Sequence, residues 1–216
     1  MSRIIIGFDF SMAKPARCVL KDDLLNFYTW PVNKHTLNEK NENILSSAGV
    51  CVHTRNRDVM STKDYTESQL ICEHVSRAIE LAGLIRDKIL EIVGDTDKSE
   101  VIIANEGLAF SARGNVTLDL SGYKYILMDR LMSAGFTNFV TYSPINIKKT
   151  AGCSKKGMGK DDMIEAFKLS TNYSSAFRDA FLADSDSFRA KTNYIPCMDD
   201  LADSYWCLMT AVQKQK

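Results

Sequence analysis

An α/β fold built on a mixed sheet is what this sequence predicts. Short β-branched segments cluster between residues 4 and 30, long amphipathic periods follow at 66–94 and 116–134, and compact apolar strands lie between the helical stretches. Early strands followed by alternating helix and strand belong to a sheet with helices packed on its faces. The 216 residues are enough for one sizeable domain, and 45% hydrophobic with 25% charged residues is an ordinary globular balance.

Ile4 to Phe8 reads as a first strand, with Cys18-Val19-Leu20 and Leu24 to Trp30 as its neighbours. Residues 33–65 are mostly polar, with apolar character only at Ile44-Leu45 and Gly49 to Val52, and are expected to form an irregular insertion. Thr66 and Gln69 make a capping box. Ile71, Val75, Ile79, Ala82, Ile85 and Ile89 then predict one continuous apolar face on a helix ended by Gly94. Val101 to Glu106 is a compact strand. A helix from about Val116 to Ala134 carries Leu118, Tyr125, Leu127 and Leu131 as apolar positions. Phe139 to Tyr142 is another strand, and Ser143-Pro144 supplies an N-cap with proline at the first helical position. A loop with Gly152, Gly157 and Gly159 leads to a helix over Lys160–Leu169. Residues 171–198 read as irregular, and Asp199 to Val212 as a closing amphipathic helix.

No apolar run is long enough to cross a bilayer, and a cytosolic location is expected. The six cysteines include no C-x-x-C pair and read as reduced thiols. Cys51-x-His53 and Cys72-x-His74 offer four zinc ligands on paper. Their one-residue spacing is tighter than zinc sites use, however, and i, i+2 positions on a helix face apart. The formal net charge is zero, so any nucleic-acid contact must come from a local patch.

Two strands end in a carboxylate, Asp9 and Glu106, and Asp199-Asp200-Leu201-Ala202-Asp203 opens the last helix. Singly, such acids serve as turn residues, helix caps or salt-bridge partners. Together they are more specific. Asp200 and Asp203 are i, i+3 and share a helix face. Gathered carboxylates repel one another unless cations enter, and hard oxygen donors suit Mg²⁺ or Mn²⁺. Two such ions roughly 4 Å apart activate water and stabilise the leaving oxygen of a phosphodiester.

Asp9, Glu106 and Asp200-x-x-Asp203, in that order, resemble the RuvC-type Holliday-junction resolvases of the RNase H-like superfamily. Tyr142-Ser143-Pro144-Ile145-Asn146-Ile147-Lys148-Lys149-Thr150 is similar to that family's Pro-x-x-Val-Lys segment. A glycine-bearing loop and Lys160 follow, and Asp200-Leu201-Ala202-Asp203 resembles its Asp-Ala-Ala-Asp helix start. The resemblance runs through nearly the whole chain in motif order. It implies a single RNase H-like nuclease domain over 1–216, with a five-stranded mixed sheet and an insertion at 33–65. It further implies Asp9, Glu106, Asp200 and Asp203 as catalytic metal ligands for two Mg²⁺ (or Mn²⁺) ions, a four-way DNA junction as substrate and a homodimer as the working form. The departures are the long 33–65 and 171–198 segments and the replacement of a Gly-rich turn after the first Asp by Phe10-Ser11-Met12-Ala13-Lys14. Divergence of this kind is in the style of a phage or other mobile element.

Lys148, Lys149, Lys155, Lys156 and Lys160 fall within 143–160, which contains no acid, and glycines there allow close approach to phosphate. Lys148 and Lys160 match the family's DNA-binding lysines. The family also places a base-stacking aromatic after the second acid, where Phe110 stands, core packing being the even alternative. Arg113 nearby is a candidate phosphate contact. The expectation is a metal-dependent junction-resolving endonuclease. The alternatives are a relaxed nuclease on flaps, branched DNA or RNA–DNA hybrid, and a catalytically silent binding module.

Overall fold

A computed structural model describes residues 3–55, 65–107 and 115–215. In chain order its elements are β1 (Ile5–Asp9), β2 (Ala16–Lys21), β3 (Leu24–Thr29), α1 (Glu39–Ser47), β4 (Val50–Val52), α2 (Glu67–Val93), β5 (Ile102–Glu106) and α3 (Asn115–Ser133). Then come β6 (Phe139–Tyr142), α4 (Pro144–Thr150), α5 (Lys160–Lys168), α6 (Ala176–Ala183), a 3-10 turn (Asp186–Phe188), β7 (Arg189–Ala190), β8 (Asn193–Tyr194) and α7 (Met198–Lys214). Two compact units result. One is Met1–Asn56 with Ile102–Gly107 and Phe139–Lys216, and the other is Arg57–Val101 with Leu108–Asn138.

The first unit holds a six-stranded sheet in the order β4-β3-β2-β1-β5-β6. The pairs β1–β2 and β2–β3 are antiparallel, while β1–β5, β5–β6 and β3–β4 are parallel. The five expected strands form a mixed sheet, and β4 adds a sixth beyond β3. Within the expected insertion, residues 39–52 are therefore more regular than their polarity suggests, and residues 56–64 lie outside the described residues. Asn38 caps α1 by accepting from the Asn41 amide, and Leu45 is buried. One buried leucine and a three-residue strand leave too little periodicity to be read from sequence.

Helix α7 lies against β1 and β2 and also packs on α4 and α5. Its contact with β1 is close enough to exclude a side chain at Gly7. A Cβ there would sit 2.1 Å from the Ser204 carbonyl and 2.7 Å from Leu208. Beside it an aromatic cluster forms the core, with the Phe27 ring 5.4 Å from Phe167 and 5.1 Å from Phe177, and Phe181 5.1 Å from Phe188. Residues 171–198, expected to be irregular, supply much of this cluster. Ser175 caps α6 by accepting from the Arg178 amide, and α6 buries Phe177 and Phe181. An eight-residue helix repeats its apolar position only once, so the period stays hidden in the sequence.

In the second unit α2 packs on α3. Thr66 and Gln69 form the expected capping box, and Gly94 ends α2 at φ 58°. The apolar face is not continuous. Ala78, Leu81, Ala82, Ile85, Ile89 and Val93 are buried, whereas Ile71, Val75 and Ile79 are 57%, 45% and 42% exposed. On α3, Leu127 and Leu131 are buried as expected and Tyr125 is exposed, its place taken by Tyr123. The side chain of Leu118 lies outside the described residues.

None of the six cysteines is in a disulfide, and Cys51 and Cys72 are exposed. No helix among the described residues is long and apolar enough to cross a membrane.

Candidate active site

Backbone register brings the first two acids together. In the parallel β1–β5 pair, Phe8 lies opposite Asn105, so Asp9 and Glu106 end adjacent strands side by side. Paired strands run about 4.8 Å apart, and side chains two residues apart share a face. Asp9 thus faces the same side as Gly7, the side covered by α7. Along α7, Asp200, Ser204 and Leu208 follow at i, i+4 and i+8 on one stripe. Since Ser204 and Leu208 press on Gly7, Asp200 comes one turn further along, over the Asp9 end of β1. Asp203 sits at the adjoining i+3 position.

Electrostatics reports the same convergence. Burial pushes the Asp9 carboxyl well above its ordinary value, and Asp200, Asp203 and Glu106 push it further. Burial raises Asp203 to about 7, opposed by Lys160 and reinforced by Glu106 and Asp200. Burial raises Asp200 to about 6, with Asp199 adding to it and Lys14 opposing it.

Asp199 behaves oppositely. Burial alone would raise it, yet Lys14 and Lys160 hold it well below the usual carboxylate range. Lys14 Nζ lies 2.5 Å from Asp199 Oδ1 and 2.6 Å from Asp200 Oδ2, and Lys160 Nζ lies 2.8 Å from Asp199 Oδ2.

Beneath the acids, fully buried Arg17 donates from Nη1 to the Asp9 and Ala16 carbonyls at 2.6 and 2.5 Å. Its guanidinium rests 3.9 Å above the Phe8 ring. Burial lowers its pKa to about 9 despite the neighbouring Asp9. The guanidinium therefore braces the main chain of the strand that carries Asp9.

The donor set fits a hard divalent cation. The buried Asp200 Oδ2 has no hydrogen-bond partner besides its 2.6 Å contact with the Lys14 ammonium. Three carboxyls are driven towards protonation by burial and by one another, a cost that a cation removes. As the side chains stand, with Lys14 among them, no three acidic, histidine or cysteine groups among the described residues are arranged to hold a metal ion. Cys51, His53, Cys72 and His74 are among the groups that form no such arrangement.

Among the described residues expected to bind DNA, only Lys160 makes an ion pair with the acidic group at the start of α7. Lys148 and Lys149 occupy the last turn of α4, and Lys155 and Lys156 are exposed in the loop before α5. Phe110 and Arg113 lie outside the described residues. Lys14, Arg17 and Gly7 were not singled out in the sequence. Nothing periodic marks Lys14, and only the packed helix reveals why residue 7 must be glycine.

No family model matches the chain, and no curated protein matches its sequence. Among solved structures, the yeast mitochondrial Holliday junction resolvase Ydc2 aligns with a TM-score of 0.50 at 13% identity, over 98% of this chain and 78% of that one. Thermus thermophilus RuvC in complex with Holliday junction substrate aligns at 0.45 and 11% identity, covering 97% and 92%. Thermus thermophilus RuvC by itself aligns at 0.43 and 12% identity, covering 98% and 96%. The likeness to Ydc2, together with the strand order β4-β3-β2-β1-β5-β6, shows a RuvC-type, RNase H-like fold.

Proposed function

We propose that this chain is a divalent-cation-dependent endonuclease that resolves four-way DNA junctions as a homodimer in the cytoplasm. The observation that carries the reading is the pairing of Asp9 and Glu106 at adjacent parallel strand ends with Asp200 and Asp203 above them on α7. A single RNase H-like nuclease domain, extended at 33–65, is the corresponding reading of the whole chain.

Asp9, Glu106, Asp200 and Asp203 would hold the Mg²⁺ or Mn²⁺ ions, two per site. When bound, these supply a nucleophilic hydroxide at neutral pH and stabilise charge on the leaving oxygen. Hydrolysis by such a site breaks the P–O3′ bond and leaves a 5′-phosphate and a 3′-hydroxyl. Arg17 and the β1–β5 register hold the Asp9 main chain in place while charge shifts at the phosphate. Lys160 at the lip of the site, with Lys148, Lys149, Lys155 and Lys156 along the adjoining segment, binds backbone phosphates without reading sequence. Phe110 and Arg113 are proposed for base stacking and phosphate contact on the strength of the motif alone.

A four-way junction has approximate two-fold symmetry and requires paired cuts, which an isologous dimer delivers. The exposed Ile71, Val75 and Ile79 stripe on α2 is the apolar surface proposed for that interface. The deciding experiment incubates the purified chain and Asp9→Asn with a synthetic immobile junction, a flap, an RNA–DNA hybrid and linear duplex, with Mg²⁺ and with EDTA. Paired nicks on the junction alone, lost with Asp9→Asn or EDTA, support the reading. Equal cutting of flaps or hybrid would replace it with a relaxed nuclease, and an intact junction would remove it.

A further inference from the structure

Lys14 and Asp199 stand beside the four acids, and the role assigned to them rests on the proposed reading of those acids as metal ligands. The Lys14 backbone is pinned on every side. Its amide donates to Ser11 Oγ at 3.2 Å, the Ala13 carbonyl accepts from the Val32 amide at 2.8 Å, and the Pro15 carbonyl accepts from Trp30 at 3.1 Å. The Met12 carbonyl accepts from Arg55 Nη2 at 3.1 Å. The ammonium therefore leaves a rigid turn and bridges Asp199 Oδ1 and Asp200 Oδ2.

We propose that Lys14 is a tethered cation holding the place of the divalent ion in the metal-free enzyme, and that Asp199 is a positioning residue that retains Lys14 when the ion enters. Three observations carry this. Asp199 and Asp200 are consecutive on a helix, about 100° apart, so they cannot face Asp9 together. Both oxygens of Asp199 are already engaged by ammonium groups, Oδ1 by Lys14 and Oδ2 by Lys160, and its side chain is 24% exposed against 6% for Asp200. The buried Asp200 Oδ2 that Lys14 touches at 2.6 Å has no hydrogen-bond partner besides that ammonium. An ammonium and a divalent cation repel each other at that distance, so only one of them can hold that oxygen. With Asp199 as its second partner, Lys14 needs only to give up Asp200, and remains at the lip of the site.

The test is calorimetric titration of Mn²⁺ into the full chain without DNA, with circular dichroism checking the fold of each variant. Lys14→Met is expected to bind Mn²⁺ about tenfold tighter, within the usual span of site coupling. Lys14→Arg keeps the charge and stays close to the wild type. Lys14→Gln stands in if the methionine variant does not fold. Asp199→Asn weakens Mn²⁺ binding in the parent chain but has no effect in the Lys14→Met background, because it acts through Lys14. Unchanged or weaker affinity in Lys14→Met and Lys14→Gln overturns the proposal. So does an equal loss from Asp199→Asn in both backgrounds, which would make Asp199 a ligand. Binding that survives Asp9→Asn would put the ion elsewhere and overturn it too. If the wild-type chain binds no Mn²⁺ at all, the proposed function falls with it.

Discussion

Replacing Gly7 by alanine tests the packing on which the site depends. The added Cβ would lie 2.1 Å from the Ser204 carbonyl oxygen and 2.7 Å from both the amide nitrogen and Cβ of Leu208. Two of those atoms are helix backbone, so no side-chain rotation relieves the clash and α7 must retreat by roughly 1 Å to reach ordinary contact. Core overpacking costs typically 1–3 kcal/mol and more where the backbone has to move, so about 3 kcal/mol is the expected loss. With urea m-values of about 1–3 kcal/mol/M, the unfolding midpoint should fall by at least ~1 M. The same retreat carries Asp200 and Asp203 away from Asp9 and Glu106. Misplacement by about 1 Å costs on the order of 100-fold in rate where geometry governs a reaction. The assays are urea unfolding followed by tryptophan fluorescence, Mn²⁺ calorimetry, and junction cleavage under native conditions. Unchanged midpoint and unchanged Mn²⁺ affinity would refute the claim that Gly7 sets the distance between β1 and α7.

Asp203→Asn should raise the melting temperature of the EDTA-treated protein at pH 8 and abolish the stabilisation given by Mn²⁺, both read by calorimetry. The wild-type melting temperature in EDTA should fall as pH rises from about 5 to 8. Asp200 and Asp203 have folded pKa values of about 6 and 7, above the unfolded value near 3.9. Their contribution is thus complete at low pH and is lost as pH rises through those folded values. Asp203→Asn should flatten that slope, and a melting temperature rising across the window would contradict the raised carboxyls. Lys148→Ala and Lys160→Ala should each lower the slope of log affinity against log salt by about 0.9 on junction DNA in Ca²⁺, as for one lost phosphate contact. Val75→Asp should shift sedimentation from dimer to monomer while the fold survives, since Val75 is already 45% exposed. An unchanged sedimentation coefficient would move the interface off that stripe.

What could be read from the sequence divides along a physical line. Elements that repeat their pattern several times were legible. The helix from Thr66 to Gly94 carries a capping box and many apolar positions, and strands β1, β5 and β6 each open on consecutive apolar residues. Elements that offer one repeat were not. Helices α1 and α6 bury two residues each, and β4 has three residues, so their stability comes from the sheet edge and the aromatic cluster rather than from local signal. The upper half of α2 misled for a different reason. Ile71, Val75 and Ile79 keep the helical period, but periodicity reports that a face is apolar and not what covers it.

The site divides in the same way. Asp9, Glu106, Asp200 and Asp203 were legible because each sits at the end of a recognisable element, so secondary structure alone constrains where their carboxylates go. Lys14 and Arg17 belong to a turn and a short strand, and their meaning lies in contacts across long sequence separations. Their presence follows from the acids all the same. Four carboxylates on one spot, three of them raised by burial and mutual repulsion, demand positive charge from somewhere before any ion binds. Arg17 supplies it from beneath through the Asp9 main chain, and Lys14 supplies it from above on Asp200. The arginine is fixed inside the sheet, and the lysine is on a side chain that a second acid can hold. The Arg17 guanidinium bonds the main chain of β1 while the Lys14 ammonium bonds acids of α7, so metal affinity should answer to residue 14 and stability to residue 17.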